Sequence, residues 1–188
     1  MGLKILVTGG AGFIGSAVVR AIINQTNCEV VNLDKLTYAG NLDSLSDVDS
    51  SQSYSHEQVD ICDAKALISF IVDENINAVI NCAAYTAVDK AEVDIELAYA
   101  VNEKGVKHLI KACKKSNAKL LHYSTDYVFN GQSCEPYNEN HVTDPQSIYG
   151  KSKLAGEQLL KKEKAVQSVI IRTSWVYSNF GHNFVKTM

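Results

Sequence analysis

The sequence predicts an α/β fold, a doubly wound parallel sheet with helices on both faces. Three observations predict it. Short apolar runs alternate with helical patterns along almost the whole chain. A glycine-rich turn joins the first run to the first helix. An acidic residue, Asp34, closes the second run about 20 residues past that turn.

The first strand and turn read Lys4-Ile5-Leu6-Val7-Thr8-Gly9-Gly10-Ala11-Gly12-Phe13-Ile14-Gly15. Gly9 allows a sharp turn. Gly12 has no Cβ, so a pyrophosphate can approach the backbone, and Gly15 lets the helix pack closely on the strand. The free N–H groups and dipole at the start of the helix then favour anionic phosphates. An ordinary strand–turn–helix shares the glycine pattern. The placement between a strand and a helix favours a dinucleotide loop.

The first helix is expected over 13–25 and the second strand over 29–33. At the end of that strand the Asp34 carboxylate can accept hydrogen bonds from adenosine ribose hydroxyls. It repels a 2′-phosphate, which favours NAD over NADP. The plainer reading is an Asp that merely ends a strand. Residues 35–53 read as a polar loop, 58–61 as a short strand and 64–74 as a helix. Residues 78–84 form an apolar strand with small residues at its end, where a cofactor can lie. A long helix is expected over 95–116, a strand over 119–124, a long loop over 130–146, a helix over 147–164 and a last strand over 169–172.

Composition narrows the class. The 188 residues are 46% hydrophobic and 21% charged, a globular and soluble balance in one domain. The net charge of -3, from 18 basic and 21 acidic residues, argues against a nucleic-acid surface. No apolar run is long enough to span a bilayer. The N-terminus reads as a strand rather than a signal peptide. Cys28, Cys62, Cys82, Cys113 and Cys134 are scattered without a CxxC pair, which implies buried free thiols in a reducing cytoplasm. His56, His108, His122, His141 and His182 show no metal-ligand spacing, so no metal is expected.

Tyr149 and Lys153 stand four residues apart in an expected helix and project from one face. A Lys ammonium beside a phenol lowers the Tyr pKa, which suits Tyr149 to proton transfer. Alone, the spacing is common, and a solvated Lys beside a packed Tyr is its everyday form. The strand ending at Ser124-Thr125 adds a hydroxyl at the carboxyl edge of the sheet. A hydroxyl, a phenol and an ammonium converging beside a nicotinamide form a carbonyl-reducing site.

Together, Thr8-Gly9-Gly10-Ala11-Gly12-Phe13-Ile14-Gly15, Ser124-Thr125 and Tyr149-Gly150-Lys151-Ser152-Lys153 resemble the extended short-chain dehydrogenase/reductase family. The resemblance covers nearly the whole chain and implies a Rossmann domain. It is also divided. Residues 1–66 resemble dTDP-glucose 4,6-dehydratases, through the glycine loop, Asp34-Lys35-Leu36-Thr37-Tyr38-Ala39-Gly40-Asn41-Leu42 and Val59-Asp60-Ile61-Cys62-Asp63. From about residue 76 the chain resembles dTDP-4-dehydrorhamnose reductases. Four stretches carry this: Asn81 to Glu92, His122 to Phe129, Tyr149 to Glu157, and Arg172-Thr173-Ser174-Trp175-Val176-Tyr177. Both families act on the route to dTDP-L-rhamnose.

The resemblance implies the following roles. Thr125 hydrogen-bonds the substrate carbonyl, Tyr149 donates the proton, and Lys153 holds the nicotinamide ribose and tunes Tyr149. Thr125, Asp126 and Trp175 contact the hexulose of a dTDP-sugar. Phe13 and Ile14 meet the pyrophosphate. Asp34, Lys35 and Thr37 surround the adenosine ribose, Asp60 and Ile61 flank the adenine, and Ala83, Ala84 and Tyr85 line the cofactor channel. The dehydratases carry an Asp-Glu pair after this Thr, whereas Asp126 is followed by Tyr127, which argues against dehydration. NAD(P)H-dependent reduction of a dTDP-4-keto-6-deoxy sugar is therefore expected. A dehydratase, or a nucleotide-binding module without catalysis, is the alternative.

Two further expectations follow from the family. Helices 95–116 and 147–164 pair with their copies in a homodimer. Its members continue into a C-terminal substrate domain, so 1–188 is expected to be the NAD(P)-binding domain with that second domain largely missing. The stretch 180–187 reads as the start of another helix.

Overall fold

Leu6 and Val7 are adjacent in β1 (Lys4–Thr8), so they face opposite sides of the sheet, and both are fully buried. The sheet is thus covered on both faces. The computed structural model describes residues 2–178 and 184–187. Besides β1, the strands are β2 (Glu29–Leu33), β3 (Tyr54–Glu57), β4 (Ala78–Asn81), β5 (Lys119–Thr125) and β6 (Ser168–Thr173). All pair in parallel, in the order β3-β2-β1-β4-β5-β6. This is the doubly wound sheet that the alternation of runs predicts. The order reverses between β1 and β4, which opens a crevice at the carboxyl ends of those strands.

The described helices are α1 (Phe13–Gln25), α2 (Ala64–Asp73), α3 (Val88–Ala91), α4 (Ile95–Tyr99), α5 (Val106–Ser116), α6 (Ile148–Lys162) and α7 (Phe184–Thr187). On the Leu6 face, Val31, Val79 and Leu120 meet Leu67 and Ile71 of α2, Leu109 and Cys113 of α5, and Leu160 of α6. On the Val7 face, Val30 meets Val19 of α1, with Leu45 and Val48 completing the cluster. Ser147 caps α6 by accepting the Gly150 amide at 3.1 Å, and Asp63 caps α2 through the Lys65 and Ala66 amides.

The expected α1, β2, α2, β5, α6 and β6 form within two residues of their expected ends. Four regions differ. The strand expected at 58–61 lies at Tyr54–Glu57, where Val30 pairs with Tyr54 and Leu33 with Glu57. This is the sheet's edge, so its residues alternate half-buried and exposed, and Tyr-Ser-His-Glu carries no apolar run. Strand β4 stops at Asn81 rather than 84. The loop over 35–53 contains a 3₁₀ turn, Leu42–Leu45, started by Asn41 accepting the Asp43 amide at 2.9 Å.

The helix expected over 95–116 is interrupted by a π-helical turn, Ala100–Gly105. Of the helix expected over 180–187, Phe184–Thr187 is helical, and 180–183 lie outside the described residues. Cys113 is buried and Cys28, Cys62 and Cys82 are half-buried, but Cys134 is exposed in the polar loop after β5, which corrects the expectation of buried thiols. Among the described residues no helix is long and apolar enough to cross a membrane.

Candidate active site

The turn after β1 is tight enough to require glycine. Gly9 has φ +67°, and a Cβ there would lie 2.6 Å from the Ala83 nitrogen. A Cβ on Gly15 would collide with the Gly9 carbonyl, so α1 can sit this close to the turn only with glycine at 15. Gly12 is the N-cap of α1 and makes no side-chain cap, while its carbonyl accepts the Ser16 amide at 2.9 Å. The amides of Phe13 and Ile14 lie in the first turn of α1, where the helix offers no acceptor. A cradle of main-chain donors at a helix N-terminus fits a pyrophosphate.

Asp34 closes β2 directly behind this turn. Its Oδ2 accepts the Ala11 amide at 3.0 Å and its Oδ1 the Leu36 amide at 2.8 Å. Lys35 pairs with Asp60 at 2.7 Å. Burial pulls Asp60 up, but Lys35 and the Cys62 amide outweigh it and hold the carboxyl below its usual range. The Thr37 carbonyl accepts the Gly40 amide at 3.0 Å. The Ile61 carbonyl meets His108 Nδ1 at 3.0 Å. Tyr38 reaches Thr86 at 3.5 Å, linking this loop to the segment after β4.

Ala83 backs directly onto Gly9 at the end of β4. Tyr85 presents only its backbone here. Its ring is buried with Ala91 and Ala98, and its hydroxyl donates to Asp94 at 2.8 Å. Asn102, in the π-helical turn, brackets that backbone. It accepts the Tyr85 amide at 2.9 Å and donates to the Tyr85 carbonyl at 3.1 Å and to Ser152 at 3.0 Å. One buried amide thus ties the segment after β4 to α6.

Thr125 ends β5 and starts a 3₁₀ turn, Asp126–Val128, by accepting the Tyr127 amide at 3.2 Å. Its hydroxyl donates to Asp126 Oδ1 at 3.1 Å. Tyr149 packs edge-on against Tyr127, ring centroids 5.6 Å apart, which sets its phenol beside Thr125. The structure therefore brings Thr125 and Tyr149 together, with Lys153 one turn along α6.

The expected effect of Lys153 on Tyr149 is corrected. Burial pushes the Tyr149 phenol up, and the nearby Thr125 hydroxyl only partly offsets it. Lys153 does not lower it, because its ammonium donates to the Tyr123 carbonyl at 2.7 Å. Burial brings Lys153 down to about 8.

Beneath the site, polar side chains cross three strands in register. Thr8 donates to Asn81 at 2.6 Å, and Asn81 meets His122 at 2.8 Å. Burial, then the Lys153 charge, hold His122 well below its usual range, so it is neutral. Glu157 is fully buried against Ser124 and Arg172. Sequence reasoning missed Asn102 and Glu157. Glu157 had a visible signal, its four-residue spacing from Lys153. Asn102 had only its polarity inside an apolar helical run.

Asp126 and Trp175 line one cavity of about 470 Å³ with Tyr127, Phe129, Tyr137 and Ser174. Ser174 donates to Asp126 Oδ2 at 2.6 Å. Trp175 adopts φ +52°, a left-handed conformation costly for an aromatic residue.

A family model described as RmlD substrate binding domain matches residues 3–188. The dTDP-4-dehydrorhamnose reductase of Aggregatibacter actinomycetemcomitans is 36% identical over 185 residues, 98% of this chain and 55% of that protein. The crystal structure of the Bacillus anthracis dTDP-4-dehydrorhamnose reductase, in complex with NADP, superposes with a TM-score of 0.81 at 33% identity. It covers 100% of this chain and 59% of that one. A dTDP-glucose 4,6-dehydratase from Streptomyces venezuelae, with NAD bound, gives 0.84 at 29% identity, covering 90% and 55%. The chain spans about half the length of the curated relatives it matches.

Proposed function

As the chain belongs to the RmlD substrate binding domain family, within the extended short-chain dehydrogenase/reductases, we propose that it reduces the 4-keto group of a dTDP-4-keto-6-deoxy sugar with NAD(P)H. The observation that carries this is the convergence on one strand end of Thr125, which caps the Tyr127 turn, Tyr149, whose ring packs on Tyr127, and Lys153 one turn along α6. They lie at the same carboxyl edge of the sheet as the glycine turn.

Each residue then has a task. The Phe13 and Ile14 amides hold the pyrophosphate on the turn formed by Gly9, Gly12 and Gly15. Asp34, Lys35 and Thr37 take the adenosine ribose, Asp60 and Ile61 the adenine, and Ala83, Ala84 and the Tyr85 backbone line the trough. Asp34 is a fixed carboxylate at the ribose, which favours NADH over NADPH. A reduced nicotinamide, when bound, supplies the hydride. Thr125 turns its hydroxyl proton from Asp126 to the substrate carbonyl oxygen, and Tyr149 passes its proton to that oxygen. A phenol raised by burial stays protonated at neutral pH, as a proton donor must. Lys153, its ammonium anchored on the Tyr123 carbonyl, takes the nicotinamide ribose. Asp126 and Trp175 hold the hexulose.

The same reading makes 1–188 one NAD(P)-binding domain at the border of a substrate region. It also makes the protein cytoplasmic, in keeping with five free cysteines. A homodimer through α4–α5 and α6 is supported by Ile95 and Leu97, both exposed on α4. A second reading, nucleotide binding without turnover, draws on Trp175: a ring 69% exposed holds a sugar from one side only.

The test is oxidation of NADH and NADPH in the presence of dTDP-4-keto-6-deoxy sugar. Consumption that stops in Tyr149→Phe supports reduction. Cofactor binding without consumption selects the second reading, and no cofactor binding overturns both. Release of water from dTDP-glucose is expected to be absent.

A further inference from the structure

A buried carboxylate must be paired, and the partners of Glu157 come from three elements. From β5, Ser124 donates to Oε1 at 2.6 Å. From β6, Arg172 donates through Nε to Oε1 at 2.9 Å and through its terminal nitrogen to Oε2 at 2.6 Å. From α6 itself, Lys161 reaches Oε2 at 3.2 Å. The Arg172 contact is bidentate, which fixes direction as well as charge.

The two partners from the strands, Ser124 and Arg172, border the candidate site. Ser124 precedes Thr125, and its carbonyl accepts the Thr173 hydroxyl at 3.3 Å. Arg172 and Thr173 lead into Ser174, which holds Asp126, and then Trp175. Along α6, Tyr149, Lys153, Glu157 and Lys161 recur every four residues and so share a face.

We propose that Glu157 is a positioning residue for the carbonyl reduction: its one buried carboxylate fixes the strand end bearing Thr125, the segment bearing Trp175 and the positive charge on Lys153. The proposal rests on reading Thr125, Tyr149 and Lys153 as the reducing site. Glu157 touches neither substrate nor cofactor and acts through these neighbours.

The groups around Lys153 Nζ make the charge argument. From β5 come the Tyr123 carbonyl and the neutral His122, from the end of β4 the Cys82 thiol, and from α6 Glu157. Burial pulls Lys153 down, and the Glu157 charge is the first of the forces that oppose it. Around Glu157 stand Arg172, Lys161 and Ser124. Burial pushes its carboxyl up, but hydrogen bonds from Arg172 and Ser124 and the two cationic charges hold it below the usual range.

The test reads Lys153 directly, by ¹³C NMR of the full chain labelled at lysine Cε, with the signal assigned by its loss in Lys153→Met. Three proteins are titrated: wild type, Arg172→Gln, in which Ser124 and Lys161 still hold the Glu157 charge, and Glu157→Gln/Arg172→Gln, which removes the charge without stranding a guanidinium. The Lys153 midpoint is expected to fall by about one unit in the double variant and not in Arg172→Gln. The high-pH limit of reduction should fall with it. Glu157→Asp, which keeps the charge but draws it back from Ser124 and Arg172, should hold the midpoint and lose about tenfold in kcat.

Equal midpoints in wild type and double variant overturn the proposal, as does an equal fall in Arg172→Gln or a wild-type kcat in Glu157→Asp. The titration needs no turnover. A wild-type chain that reduces no keto sugar therefore overturns the reading of the site alone, and unmoved midpoints overturn the role of Glu157 alone.

Discussion

The Lys153 ammonium is anchored on the Tyr123 carbonyl, 2.7 Å away across the interface of α6 and β5. The anchor holds a cation where burial opposes charge, and Lys153 falls from its ordinary 10.5 to about 8. The unfolded chain therefore binds more protons between those two values, and stability rises with pH over that window. Below about 8 the full penalty is present. Lys153→Met should stabilise the protein at pH 7 by about 1–3 kcal/mol, after loss of the Tyr123 hydrogen bond. The gain should shrink toward pH 10. Urea midpoints at pH 7 and 10 check this, and the variant should reduce no substrate.

The same value sets the pH profile of turnover. Tyr149 is raised by burial and keeps its proton through neutrality, so the limit is Lys153. The reduction rate should hold at neutral pH and decline as pH rises through about 8. A profile that climbs through this range would assign the working form to a deprotonated group instead.

Tyr149→Phe removes the proton and leaves the ring packed against Tyr127. Turnover should fall by about 10²–10⁴ with cofactor affinity unchanged. Thr125→Ser should retain most activity, since a Ser hydroxyl can still cap the 3₁₀ turn. Thr125→Val should lose both the cap and the carbonyl donor. Steady-state kinetics beside a cofactor titration separates these outcomes.

Asn102→Ala should cost about 2–4 kcal/mol, because the Tyr85 amide and carbonyl and the Ser152 hydroxyl lose their buried partner together. Chemical denaturation gives the loss. Cofactor affinity should fall with it, as the wall after β4 loosens.

Gly15→Ala puts a methyl group into the Gly9 carbonyl. The turn must open to admit it, at about 1–3 kcal/mol. NADH affinity should drop at least about tenfold, the scale of that cost. Fluorescence titration of the reduced cofactor, beside a melting curve, reads both effects.

The central strands were legible because burial on both faces leaves them apolar, as with Ile5-Leu6-Val7 and Ala78-Val79-Ile80. The edge strand β3 was not, because its outer side faces water and Ser55 and Glu57 obey that. Spacing put Tyr149 and Lys153 on one face, and the strand end brought Thr125 to them. Spacing could not reveal the balance of burial and charge, which reversed the expected shift of Tyr149. That balance depends on where the Lys153 ammonium points, and the Tyr123 carbonyl that captures it lies 30 residues away. Asn102 was illegible for a similar reason: its partners, Tyr85 and Ser152, come from opposite sides of the chain.

The π-helical turn Ala100–Gly105 works as a phase setting. One extra residue rotates everything beyond it by about 100° relative to a regular helix. Ala98 faces inward before the slip, Asn102 within it, and Val106, Leu109 and Cys113 after it. Deleting a single residue between Ala100 and Gly105 would regularise the helix while swinging Asn102 away from Tyr85. The alignment of the segment after β4 with α6 is thus stored in a residue count, and a shortened turn would break it even with every side chain on either side preserved.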